Sequence, residues 1–265
     1  MPLTVETYPT LSEAARAFAA ARAARFMGGG TILMRAVNEA DQSFDTLIRT
    51  TDRAMTEIRT TGSAVTLGAG VTMASIAASR DTAFLAPVAR LIGGPQVRAA
   101  ATVAGNLFAA APYGDLTAAL MALGATAEMT DGRRQSIDDL IRGGPTRSLV
   151  AAVHVPVPQG GLHFRKVSRI KPKGVSVLSV AAVLPRQGGR IENARIVFNG
   201  MGARPVRAEA AERALNGQAL GASAIAAAAA HAAEGLSPRD DAIATAWYRR
   251  EVAGVHLRRL LEDIR

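Results

Sequence analysis

With 265 residues the chain can bury a substantial core, as one large or two moderate domains. It has no cysteine, which excludes disulfides, thiolate-bound zinc and an iron–sulfur cluster held by this chain; its four histidines, His154, His163, His231 and His256, are scattered without metal-ligand spacing. The net charge of +9 is almost all arginine, mixed with acids as in Arg53, Glu57 and Arg59, which fits a solvated surface better than a nucleic-acid site; a basic face for an acidic partner subunit stands between the two.

Taken in order, Thr10 and Glu13 form a capping-box pattern ahead of a helix carrying Leu11, Ala14, Ala15 and Phe18. Residues 24–27 read as a short strand entering the turn Gly28-Gly29-Gly30-Thr31, and residues 32–37 leave it as a helix start. A glycine turn between strand and helix suits an anion, because the first helical N–H groups are unpaired. Strands are expected at 46–48, 57–59 and 64–70, then helices at 72–79 and 85–91, the second ending in Gly93-Gly94-Pro95. Gln96-Val97-Arg98 feeds a second stretch of small residues, 101–115, in which Thr102 and Val103 precede Ala104, Gly105 and Asn106. A buried helix follows at 116–123, and Asp115 is either its cap or a ligand-binding residue. Residues 125–137 pattern as a hairpin around Asp131-Gly132, and 149–155 as an apolar strand.

Gln159-Gly160-Gly161 is the expected boundary between a domain over 1–160 and one over 161–265. Strand-like runs at 164–168, 175–184 and 194–199 read as a meander, followed by helices at 207–215, 223–233 and 240–264. Trp247 and Tyr248 are read as core anchors of the last helix, and His154 and His163 as structural. No apolar run reaches membrane-spanning length and no secretory signal is apparent, so a cytoplasmic protein is expected.

Several ordered stretches resemble the flavin-binding medium subunit of the molybdenum hydroxylases, the family of carbon monoxide dehydrogenase and xanthine dehydrogenase. Phe26-Met27-Gly28-Gly29-Gly30-Thr31-Ile32-Leu33 is similar to its first loop, and Ala101-Thr102-Val103-Ala104-Gly105-Asn106-Leu107 to its second. Gly200-Met201-Gly202-Ala203-Arg204-Pro205 and Trp247-Tyr248-Arg249-Arg250 resemble its C-terminal signatures. The resemblance implies an α+β fold: a two-lobed FAD-binding domain of the vanillyl-alcohol oxidase/p-cresol methylhydroxylase type, then a small C-terminal domain with a three-stranded antiparallel sheet and a helical bundle.

It also implies that both loops hold the FAD pyrophosphate through backbone N–H groups, with Thr31, Thr102 and Asn106 adding side-chain bonds. Ile92, Gly93 and Leu149 would lie near the flavin, and Asp115 would accept hydrogen bonds from the ribityl or adenosine part. Lys166 or Arg165 would approach the polar edge of the ring, although the strip Arg165, Lys166, Arg169, Lys171, Lys173 is equally a solvated face. The chain departs from the pattern at Ala104, at Ala109 (a hydroxyl in some relatives) and at Lys173-Gly174-Val175-Ser176. The implied partners are a large molybdopterin-binding subunit and a small [2Fe-2S] subunit, in a dimer of heterotrimers. A stand-alone FAD-dependent oxidase and a flavin-free scaffold subunit are the alternatives.

Overall fold

The computed structural model describes residues 3–144, 146–170 and 174–264. It begins with a small parallel sheet in the order β1 (Thr4–Tyr8), β3 (Thr46–Thr50), β2 (Ala24–Phe26), covered by α1 (Leu11–Ala20) and followed after β2 by α2 (Leu33–Asn38). The expected capping box is present at α1: Thr10 accepts from the Glu13 N–H while Glu13 reaches back to Thr10. Ala14, Ala24 and Ile48 form a small core beneath α1.

After a 3₁₀ turn at Arg53–Thr56, the chain builds a five-stranded antiparallel sheet. It is ordered β4 (Ile58–Thr61), β5 (Ala64–Gly68), β8 (Val150–Pro156), β6 (Thr126–Met129), β7 (Arg134–Ser136). Between β5 and β6 come α3 (Met73–Ala78), α4 (Ala86–Arg90), α5 (Pro95–Ala100), α6 (Val103–Leu107) and α7 (Asp115–Ala122), and α8 (Ile137–Gly143) follows β7. All eight residues of α7 are buried, so this helix has no solvent face.

The reason is that α7 is covered from a second side. A four-stranded antiparallel sheet, β14 (Val206–Arg207), β13 (Arg195–Asn199), β10 (Ser176–Val183), β9 (His163–Ser168), packs on it through β10 and β13. Every residue of β10 is buried, because α7 lies against the strand on one side and α11 (Ala246–Glu262) on the other. Ala181, Val183 and Val197 belong to the same apolar core as α7, whereas Leu178, Val180, Ile196 and Phe198 join a separate core under the helices. A short hairpin, β11 (Arg186–Gln187) and β12 (Arg190–Ile191), connects β10 to β13; α9 (Glu209–Leu215), α10 (Ala222–Ala230) and α11 complete the bundle.

Three expectations are corrected. The second sheet has four strands, because Val206 and Arg207 pair with Phe198 and Val197 instead of opening a helix. Asp115 is the first residue of α7, not its cap, which is Gly114. Trp247 and Tyr248 are surface residues, 67% and 42% exposed, and the core anchor of their motif is Arg249. At 2% exposure, Arg249 donates to the carbonyls of Val177 and Ala244 and pairs with Asp241 at 2.8 Å. A guanidinium is buried there because each face of its fork meets an acceptor.

Candidate functional site

The two glycine-bearing stretches, some 70 residues apart in sequence, touch. A Cβ added to Gly29 would fall 1.6 Å from the Ala100 carbonyl oxygen, and one added to Gly28 would fall 2.6 Å from Oγ1 of Thr102. Only glycine permits that approach. Phe26 ends β2, half-buried, and the Met27 N–H donates to the Ile48 carbonyl, so the edge of the parallel sheet aims the first bend at α5 and α6. Gly30, at φ +70, turns the chain into Thr31, Ile32 and Leu33, where α2 starts.

The bends differ in what they offer. From Gly28 to Leu33 no backbone N–H has an acceptor among the described residues, leaving a run of unpaired donors suited to a diphosphate. In the second bend the donors are taken. The N–H groups of Val103 and Ala104 go to the carbonyls of Val71 and Ala69, that of Gly105 to Thr102 Oγ1 and that of Asn106 to the Thr102 carbonyl. Thr102 therefore caps α6, and Ala104 has ordinary helical backbone, so a methyl group is accommodated at this departure from the expected loop pattern.

The Asn106 side chain is likewise directed at protein. Nδ2 donates to the Tyr113 carbonyl at 3.0 Å, while Oδ1 accepts from the N–H and hydroxyl of Thr117 at 3.0 and 3.1 Å. It ties α6 to α7 and fixes the intervening loop, in which Ala109 is buried and Phe108 and Tyr113 are exposed. Ile32, Met34 and Val97 are also exposed apolar side chains on the segments that adjoin the bends in sequence. Tyr113 reaches across to α2, its hydroxyl 3.4 Å from the Arg35 guanidinium, which Glu39 and Tyr113 together hold in its charged form. Exposed apolar surface around unpaired N–H donors is what a nucleotide with a planar ring system covers.

A second cluster lies at the N-terminus of α7. The Asp115 carboxylate accepts from Ser176 Oγ at 2.9 Å, Ser179 Oγ at 2.7 Å and Asn199 Nδ2 at 2.8 Å, and pairs with Lys166 Nζ at 3.0 Å. Ser176 and Ser179 are three apart, so a regular strand would point them to opposite faces. A register shift against β9 between Ser176 and Leu178 lets both reach one carboxylate. Lys166 also donates to the Leu91 carbonyl at 2.8 Å, and Arg98 to that of Gly93 at 2.7 Å. The structure thus gathers Ile92, Gly93, Asp115 and Lys166, and separately Gly28, Gly29 and Thr102.

Asp115 was expected to accept from the cofactor, but its oxygens are filled by four protein donors and the residue is 3% exposed. Leu149 lies apart from the bends, exchanging hydrogen bonds with Thr130 at the start of β8. Lys171 and Lys173 lie outside the described residues. Ser176, Ser179, Asn199 and Tyr113 were not picked out as site residues; serines at 176 and 179 in an otherwise apolar run are the one sequence trace of the cluster. His154 joins neighbouring strands, its ring 3.0 Å from Thr66 Oγ1 and 2.7 Å from Glu128. That contact, with Arg134, lowers the Glu128 pKa.

Comparison with known proteins accounts for this geometry. Residues 4–158 match the family described as the FAD-binding domain in molybdopterin dehydrogenase, and residues 163–264 the carbon monoxide dehydrogenase flavoprotein C-terminal domain. The chain is 32% identical over 219 residues to the carbon monoxide dehydrogenase medium chain of Afipia carboxidovorans, covering 77% of this chain and 76% of that one. To the nicotine 6-hydroxylase medium subunit of Paenarthrobacter nicotinovorans it is 29% identical, covering 79% and 78%. The structure superposes on carbon monoxide dehydrogenase from Hydrogenophaga pseudoflava with a TM-score of 0.91 at 26% identity, over 99% of this chain and 96% of that chain. The chain belongs to the FAD-binding medium-subunit family of the molybdenum hydroxylases, a family of oxidoreductase subunits.

Proposed function

We propose that this chain is the electron-transfer subunit of a multisubunit molybdenum hydroxylase, receiving electrons from a partner's iron–sulfur clusters into FAD and passing them to a terminal acceptor. FAD supplies the redox chemistry when bound. The chain supplies position and electrostatics. The carrying observation is the run of unpaired N–H groups from Gly28 to Leu33, with Gly28 against Thr102 and exposed apolar side chains nearby.

In this reading the first bend holds the pyrophosphate, assisted by the Thr31 hydroxyl, and the Thr102–Asn106 stretch is the rigid wall that keeps that bend open. Ile92 and Gly93 flank the ring, and Lys166 brings positive charge to it. Residues 1–160 form the FAD-binding domain and 161–265 a domain that completes the ring's surroundings through β9 and β10. Large molybdopterin-binding and small [2Fe-2S] subunits are the partners, in line with relatives that are named medium chains or medium subunits. In this reading the protein is cytoplasmic. No helix of the described residues is long and apolar enough to cross a membrane.

Purification of the chain from its source, followed by a visible spectrum and mass spectrometry of the native complex, tests this. Stoichiometric flavin together with a molybdenum-bearing subunit is expected. Flavin without partners would make the chain a stand-alone flavin oxidase, and partners without flavin a scaffold.

A further inference from the structure

Among the described residues, Asp115–Lys166 is the ion pair in which both side chains are less than a tenth exposed, at 4% and 7%. Burying two charges costs several kcal/mol per ion, and attraction offsets that only where the remaining hydrogen-bonding capacity is met. Asp115 meets the condition fully. Its carboxylate has three further donors, Ser176, Ser179 and Asn199, all on β10 and β13. Lys166 does not meet it. An ammonium has three N–H donors, and the protein takes two, one for Asp115 at 3.0 Å and one for the Leu91 carbonyl at 2.8 Å. The third has no acceptor among the described residues, beside the Ile92–Gly93 turn.

We propose that this couple sets the redox potential of the bound flavin: Lys166 gives its remaining N–H and its charge to the ring, and Asp115, a positioning residue, acts on the ring only through Lys166. The inference rests on the FAD reading above. A cation close to the ring in a site of low dielectric favours the electron-rich form of the flavin, and an anion behind it opposes that effect at longer range. The three donors from β10 and β13 then have a purpose beyond packing. They hold the Asp115 carboxylate still, so that Lys166 neither swings away nor carries its full field to the flavin.

The test is a potentiometric titration of the flavin in the full-length, FAD-loaded chain, comparing wild type with Asp115→Asn, Lys166→Gln and the double variant. Each substitution removes one charge and leaves a polar side chain: Asp115→Asn keeps the size but exchanges one acceptor oxygen for a donor, and Lys166→Gln exchanges the ammonium for a shorter amide. Asp115→Asn is expected to raise the potential, Lys166→Gln to lower it, and the double variant to lie between the two. Shifts of one sign, or none, in both single variants overturn the proposal, because a purely structural pair would disturb the site in the same way from either end. Loss of FAD from each single variant with retention in the double variant overturns it, because a stranded buried charge would do that with no effect on the flavin potential. Loss from all three overturns it, assigning the pair to folding alone. A wild-type chain that binds no FAD on reconstitution would instead remove the FAD reading, a distinct outcome.

Discussion

The two bends share a composition but have opposite hydrogen-bonding states. Gly28–Thr31 and Thr102–Asn106 both combine small residues with a threonine and both run into a short helix. Yet the first keeps its N–H groups unpaired, whereas those of Val103, Ala104, Gly105 and Asn106 are spent on Val71, Ala69 and Thr102. The difference lies in what surrounds them. The first bend leaves a sheet edge into solvent, with Gly28 and Thr31 exposed; the second packs between α7 and the stretch after β5, with Thr102, Val103 and Asn106 buried, where an unpaired donor would cost about 1–3 kcal/mol. A glycine-rich stretch after a strand is thus a donor cradle only where the fold leaves it uncovered.

The largest effect is expected where the bends meet. Gly29→Ala would place a methyl group 1.6 Å from the Ala100 carbonyl oxygen, against the Ala100–Ala101 peptide, which cannot swing aside as a side chain can. Separating the bends is expected to cost about 3 kcal/mol or more and to give colourless protein, read by urea unfolding and by the flavin absorbance. A yellow, fully stable Gly29→Ala chain would mean that contact between the bends is dispensable.

Asn106→Ala comes next. It leaves the Thr117 N–H and the Tyr113 carbonyl without their partner in a buried position, an expected loss of about 2–3 kcal/mol. Because the amide holds protein groups, FAD affinity should fall in step with stability. A loss of affinity with stability intact would instead place the amide on the cofactor and make the two bends equivalent.

Thr102→Val separates the same alternatives at smaller scale. The hydroxyl caps α6 by accepting from Gly105, worth about 1 kcal/mol. If capping is its only task, denaturant midpoint and FAD affinity shift together by small amounts; a disproportionate loss of affinity would show the hydroxyl serving the nucleotide directly.

Much of this arrangement was legible from residue order. The capping box at Thr10, the strand into Gly28, the hairpin at Asp131-Gly132 and the long final helix rest on local patterns, and local patterns survived folding. The missed elements are short or exposed. β1 has no buried residue, so Val5 and Glu6 show no readable alternation, and α5, α6 and α8 have five to seven residues, too few for a helical period. The partners of Asp115 were beyond reach for another reason. Ser176, Ser179 and Asn199 lie 61 to 84 residues away, and the two serines share a face only because β10 is irregular. Trp247 and Tyr248 lie at the surface despite their aromatic character, because the amphipathic stripe of α11 turns Leu257, Leu260 and Leu261 inward.

The smallest expected effect isolates conformation from space within the first bend. Gly30 has φ +70, and a Cβ there would lie 3.3 Å from the Met34 side chain, which can yield. Gly30→Ala should therefore cost only the penalty of the left-handed region, about 1 kcal/mol, while Gly30→Asn, a residue that tolerates that region, should cost less. Both variants should keep the neighbouring N–H groups in place and remain yellow, with FAD affinity changed less than in any variant above. Thermal melts of the apo and FAD-loaded forms measure the two terms separately. An Ala variant as damaging as Gly29→Ala would mean that the bend has no slack at all; an Asn variant equal to Ala would mean that crowding at Met34, and not backbone angle, sets the requirement for glycine.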